Sequence, residues 1–105
     1  MASGKLGAAT LAANTDTTLY TVPANTVATV NISIVNRGDN AAIVNVALAT
    51  SGAPTDADYI EYGVPVPAKG VLERSAIVAG AGERVVVRSS AAGCSVRIHG
   101  FEEIA

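Results

Sequence analysis

The chain is punctuated. Clusters of Gly, Pro, Asn and Asp interrupt it at intervals of about ten residues, and the runs between them are rich in Val, Ile, Thr and Ala. No run between the breaks is long enough for a helix that would stand alone in water. The stretch "TLYTVPANTVATVNISIVNRG", residues 18–38, shows the pattern most clearly. Pro23 removes a backbone donor and fixes φ, so the chain turns at Pro23-Ala24-Asn25. From Thr26 to Asn36, Ala28, Val30, Ile32 and Ile34 face one way, and Thr29, Asn31 and Ser33 face the other. That alternation predicts a half-buried strand with a polar, nearly uncharged outer face.

The same grammar continues along the chain. Residues 17–22 read as a strand before the Pro23 corner. Residues 41–49 read as the strand after the turn Arg37-Gly38-Asp39-Asn40, with Val44, Val46 and Leu48 on one face and Asn45 and Ala47 on the other. These two strands with a short polar turn between them predict a hairpin of residues 26–36 with 41–49. Tyr59-Ile60-Glu61-Tyr62 reads as a short strand. Pro65 and Pro67 confine residues 64–70 to a sheet edge running into a turn. Extended runs over 71–78, 83–89 and 94–102 complete the set. Residues 1–16, small and mixed in polarity, read as an extended N-terminal arm or a first edge strand. The rest, 17–105, reads as one domain.

The expectation is therefore all-β: a single antiparallel β-sandwich, jelly-roll or Ig-like, of about eight short strands with an extended N-terminal arm. No βαβ rhythm is present.

The chemistry of the chain is sparse. Only 15% of its residues are charged, against ~25% in an average domain. Too few charges remain to cover a compact monomer, so some apolar surface is expected to meet a partner. Seven Lys and Arg against nine Asp and Glu leave no basic face for phosphates, so no nucleic acid is expected. No basic amphipathic helix and no apolar run approaching the ~20 residues of a membrane span occurs, so no membrane is expected either. The start, Met1-Ala2-Ser3-Gly4-Lys5, lacks the apolar run of a signal peptide.

Cys94 is the only cysteine and His99 the only histidine. They stand an odd number of residues apart on one expected strand, hence on opposite faces, which argues against a nucleophile–base pair. One histidine cannot build a metal site. Asp56 and Asp58 flank a loop where solvation is the default. A calcium loop would need a glycine where Tyr59-Ile60-Glu61 stands. Glu102-Glu103 reads as a solvated tail or a partner contact. Arg37-Gly38-Asp39 is explained by a turn. No phosphate-binding glycine loop, GxSxG or HExxH occurs. No enzyme, metal, cofactor or small-molecule substrate is expected.

Six segments carry a resemblance when read in order: Leu19-Tyr20-Thr21-Val22-Pro23-Ala24, Asn36-Arg37, Tyr59-Ile60-Glu61-Tyr62, Pro67-Ala68-Lys69-Gly70-Val71-Leu72, Ala81-Gly82-Glu83-Arg84-Val85-Val86-Val87, and Ser95-Val96-Arg97-Ile98-His99-Gly100-Phe101-Glu102. Over residues 17–103 the chain resembles a family of small structural proteins of tailed bacteriophages. The resemblance implies a virion component without catalysis, assembled in the cytoplasm of the bacterial host. A capsid decoration (cement) protein that binds the major capsid protein lattice is the first expectation, and a tail or baseplate component the second. A homo-oligomer is expected. Contacts are expected from Ser3, Lys5 and Leu6 of the arm and from Arg97, His99 and Phe101 of the last strand, although Leu6 and Phe101 would equally complete a core. A carbohydrate- or receptor-binding module is the rival of a different class. It has only Tyr20, Tyr59, Tyr62 and Phe101 with which to build an aromatic platform.

Overall fold

The computed structural model describes all 105 residues. Eight strands account for most of them: β1 Ser3–Thr10, β2 Thr17–Thr21, β3 Thr26–Asn36, β4 Ala42–Ala49, β5 Tyr59–Val66, β6 Val71–Ala79, β7 Arg84–Ser89 and β8 Cys94–Ile104. One turn of 3-10 helix, Asp56–Asp58, is the only helical element. The strands form two four-stranded antiparallel sheets, ordered β1-β8-β3-β6 and β2-β7-β4-β5. Successive strands change sheet at every step except β4 to β5. Of the two sandwich topologies expected, this order is the jelly roll.

The expected hairpin of residues 26–36 with 41–49 does not form. β3 and β4 lie in opposite sheets, and the short turn between them is an inter-sheet corner. Asn36 builds that corner from inside the protein, at 1% exposure. Its Nδ2 donates to the carbonyls of Asn40 (2.8 Å) and Val66 (3.0 Å), and its Oδ1 accepts the Gly38 N–H (2.9 Å). The bond to Val66 reaches β5, in the other sheet. Between Ala28 and Ile34, and between Ala42 and Leu48, both strands have an apolar inner face, and two such faces are buried by stacking across a core rather than by pairing side by side.

The core is one cluster drawn from both sheets. It includes Val30, Ile32 and Ile34 of β3, Val44 and Val46 of β4, Val85 and Val87 of β7, and Cys94, Val96 and Ile98 of β8. Small β-branched side chains dominate it. Both sides of the sandwich are closed. On one side β1 lies against β2: a Cβ placed on Gly7 would stand 2.1 Å from the Leu19 carbonyl oxygen. On the same side the Tyr20 hydroxyl donates to Glu102 of β8 at 2.6 Å. On the other side Arg74 of β6 is ion-paired with Glu61 of β5, which joins the two edge strands across the gap.

The edge strands β5 and β6 share a further device. Each is bulged, and each bulge is held by an asparagine from the adjacent interior strand. Asn31 Oδ1 accepts the N–H of Ala76 at 3.0 Å, and Ala76 sits at φ +56°. Asn45 Oδ1 accepts the N–H of Gly63 at 2.8 Å, and Gly63 sits at φ +66°. Bulges twist an edge away from further pairing. Pro65 lies in β5, at an edge, as its missing donor requires. Residues 3–10 are the opposite edge strand of the first sheet, paired with β8 from Ser3↔Phe101 to Thr10↔Ser95.

Candidate interaction surface

The two outer faces of the sandwich differ. On the second sheet, residues 50–58 leave β4 and run across the face before β5 begins. A Cβ on Gly52 would lie 3.7 Å from Thr18 Oγ1, so the loop reaches β2 at the far edge. Ala47, Ala49 and Val86 point outward on this sheet, yet are buried in a cluster of their own with Tyr59 packed against it. Asp58, one of the two loop acids, is occupied in holding this loop: its Oδ2 accepts the Thr55 N–H at 2.7 Å and the Thr55 hydroxyl at 3.1 Å. Asp56, Tyr59 and Tyr62 line a shallow depression at its margin. The two rings meet edge to face, 4.8 Å between centroids. Burial pushes the Tyr59 hydroxyl above its ordinary pKa, and the charges of Asp16 and Asp56 add to that.

The outer face of the first sheet is open. The strand register arranges it in rows. Ser3, Phe101, Thr29 and Val78 form one row across β1, β8, β3 and β6. Lys5, His99 and Asn31 form the next, ending at the β6 bulge. Ala8, Arg97, Ser33 and Glu73 form the third, and Thr10, Ser95, Val35 and Val71 the fourth. Four large apolar side chains on this face are exposed: Val35 at 38%, Phe101 at 45%, Val71 at 51% and Val78 at 63%. A shallow depression between β1, β8 and β3 is lined by Ala8, Thr10, Ser33, Val35 and Arg97, among others.

Lys5, Arg97 and Glu103 lie on the β1–β8 side of β3, and Glu73 lies on the β6 side. None of the four is ion-paired within the chain, whose ion pairs are Lys69–Asp39, Arg74–Glu61 and Arg88–Asp16. His99 sits between Lys5 and Asn31, and its Nδ1 is shielded from solvent without a hydrogen-bond partner. Arg37 Nε donates to Ser95 Oγ at 2.8 Å, at the end of the fourth row.

Five of the six residues expected to make contacts, Ser3, Lys5, Arg97, His99 and Phe101, come together on this face. Leu6 does not: the β1 register shifts between Lys5 and Gly7, and Leu6 packs against the core. Sequence reasoning missed the β6 contribution of Val71, Glu73 and Val78. The bulge at Ser75-Ala76 puts odd positions outward before it and an even position outward after it, so no single alternation runs through β6. Glu102 also differs from expectation. It is no solvated tail; its two oxygens accept the Tyr20 hydroxyl and the Ala2 N–H. These bonds hold its carboxyl below the ordinary value, that of Tyr20 foremost.

The remaining reactive groups do not converge. Cys94 is buried and accepts the Ser89 hydroxyl at 3.3 Å, while His99 faces outward. No three His, Cys, Asp or Glu side chains gather where they could hold a metal ion, and no helix is long and apolar enough to cross a membrane. Comparison of the chain with protein-family models, curated proteins and solved structures finds no match.

Proposed function

We propose that this chain is a non-enzymatic structural component of a tailed-phage virion, acting as a capsid decoration protein that binds the major capsid protein lattice. The observation that carries the reading is the contrast between the two outer faces. The chain lays its own loop across one and leaves the other open, with four large apolar side chains exposed among scattered charges. Such a face suits burial against a neighbouring subunit, because exposed apolar side chains grouped on one face mark interaction sites. The ordered resemblance over residues 17–103 supplies the virion context. The protein would act by bridging subunits, with many weak contacts per particle adding through multivalency. The jelly roll serves viral capsid and lectin domains alike, so the fold does not choose between them.

A second reading, a carbohydrate- or receptor-binding module, is favoured by the Tyr59–Tyr62 corner beside Asp56. Cryo-electron microscopy of the native virion tests the first reading. Density for the chain at regular positions on the head shell is the expected result. Density in the tail alone replaces decoration by a tail or baseplate role. If the particle lacks the chain, the virion reading falls, and glycan binding that is lost in Y62A supports the module.

A further inference from the structure

We propose that the subunit seated on the open face of the first sheet is a second copy of this chain, packed face to face about a twofold axis that runs along β3. The inference rests on reading that face as a subunit contact, and needs no virion.

The argument is one of pattern. Relative to β3, the face carries Arg97, Phe101 and, opposite Val27 at its end, Glu103 on one side, on β8, and Glu73 and Val78 on the other, on β6. Arg97 and Glu73 share the row of Ser33, and Phe101 and Val78 share the row of Thr29. A twofold axis along β3 preserves the rows and exchanges the sides. It therefore sets β8 of each copy over β6 of the other. Arg97 of one copy then meets Glu73 of the second, and the reverse pair forms by symmetry. Phe101 meets Val78, also twice, and Val35 meets its own counterpart on the axis. Arg97 and Glu73 each gain an opposite charge, and all four exposed apolar side chains of the face gain apolar or small polar company. A surface matched to itself in this way is what an isologous dimer requires.

The geometry of stacked sheets allows it. Sheets pack face to face ~10 Å apart with strands aligned to within ~30°. Outward residues on β3 are small or short (Thr29, Asn31, Ser33, Val35), which permits that approach. Three overlapping strands spaced ~4.8 Å apart and about nine residues long cover roughly 400–500 Å² of each copy. The total, roughly 800–1,000 Å², lies below the range of stable specific interfaces, which makes this a weak dimer.

Sedimentation equilibrium of the full chain, over a concentration series into the submillimolar range at low salt, tests the proposal. The native chain is expected to dimerise. R97E and E73R each place like charges together at two points and are expected to raise the dimer dissociation constant by more than about tenfold. Mixing R97E with E73R restores both opposite-charge pairs and is expected to restore dimer, a result that loss of folding in either variant could not produce. A native chain that stays monomeric throughout overturns the proposal. So does a dimer indifferent to R97E and E73R, or one weakened by E103R and not by E73R, because that pattern needs an axis running across the strands. Solution dimerisation and location in the virion are separate readouts, so either reading can fail without the other.

Discussion

Gly7 of β1 and Leu19 of β2 touch through their backbones: a Cβ on Gly7 would stand 2.1 Å from the Leu19 carbonyl oxygen. The two strands belong to different sheets, and this approach closes one side of the sandwich. G7A forces the strands apart and is expected to lower stability by about 1–3 kcal/mol or more. G52A, where the added Cβ would meet only ordinary contact at 3.7 Å, is the control and is expected to stay near neutral. Urea unfolding of both variants checks the contrast.

Ala76 holds φ at +56° in the β6 bulge, a conformation that costs an L-residue about 1–2 kcal/mol and glycine much less. A76G is expected to raise stability by about 0.5–1 kcal/mol despite the entropy that glycine adds to the unfolded chain. N31A removes the side chain that accepts the Ala76 N–H and is expected to lower stability by about 1–2 kcal/mol. Thermal unfolding of the two variants should move in opposite directions.

The Tyr20–Glu102 bond makes stability depend on pH at both ends. The Glu102 carboxyl is held below its ordinary value of 4.5, first by the Tyr20 hydroxyl and then by the Ala2 N–H. A carboxyl lowered in the folded state stabilises when ionised, so its contribution is present above that value and is lost as pH falls through the folded pKa. The Tyr20 hydroxyl is raised well above 10.0, by burial first and by Glu102 second. A raised phenol stabilises while protonated, so that contribution is present below 10.0 and is lost as pH rises through the folded pKa. The melting temperature is expected to plateau between these limits and to fall on either side. Y20F should flatten both limbs, with Tyr59, also raised, retaining part of the alkaline one.

Asn36 is expected to be the least replaceable polar residue of the fold. N36D keeps the shape, loses both donors and sets a buried carboxylate against the carbonyls of Asn40 and Val66. A loss of about 3 kcal/mol or more is expected. The variant should unfold at a much lower urea concentration than R37A, whose side chain bonds only to the Ser95 hydroxyl at the surface.

The sandwich was legible because turn residues punctuate the chain and β3 alternates without a break. The sheet order was not. A short turn between two strands looks the same in sequence whether the strands pair or separate, and what separates β3 from β4 is the Asn36 side chain, which bonds a residue thirty positions away. The open face of the first sheet was half legible. β1 and β8 contributed five of the expected residues, but the bulge in β6 hid Val78 from any period-two reading. The cover on the other face was hidden for a different reason: nothing in "TSGAPTD", residues 50–56, shows that the loop lies flat rather than projecting into solvent.

The position of β8 has a consequence for how the protein comes into being. β8 lies between β1 and β3 and pairs with both. A nascent chain lacking residues 94–104 has no first sheet, only an unpaired β1 and a single β3–β6 ladder. Folding of the first sheet must therefore wait until β8 has left the ribosome. Chains stalled or clipped before residue 94 would expose the edges of β1 and β3 to other unfinished copies, where β8 otherwise fills that gap.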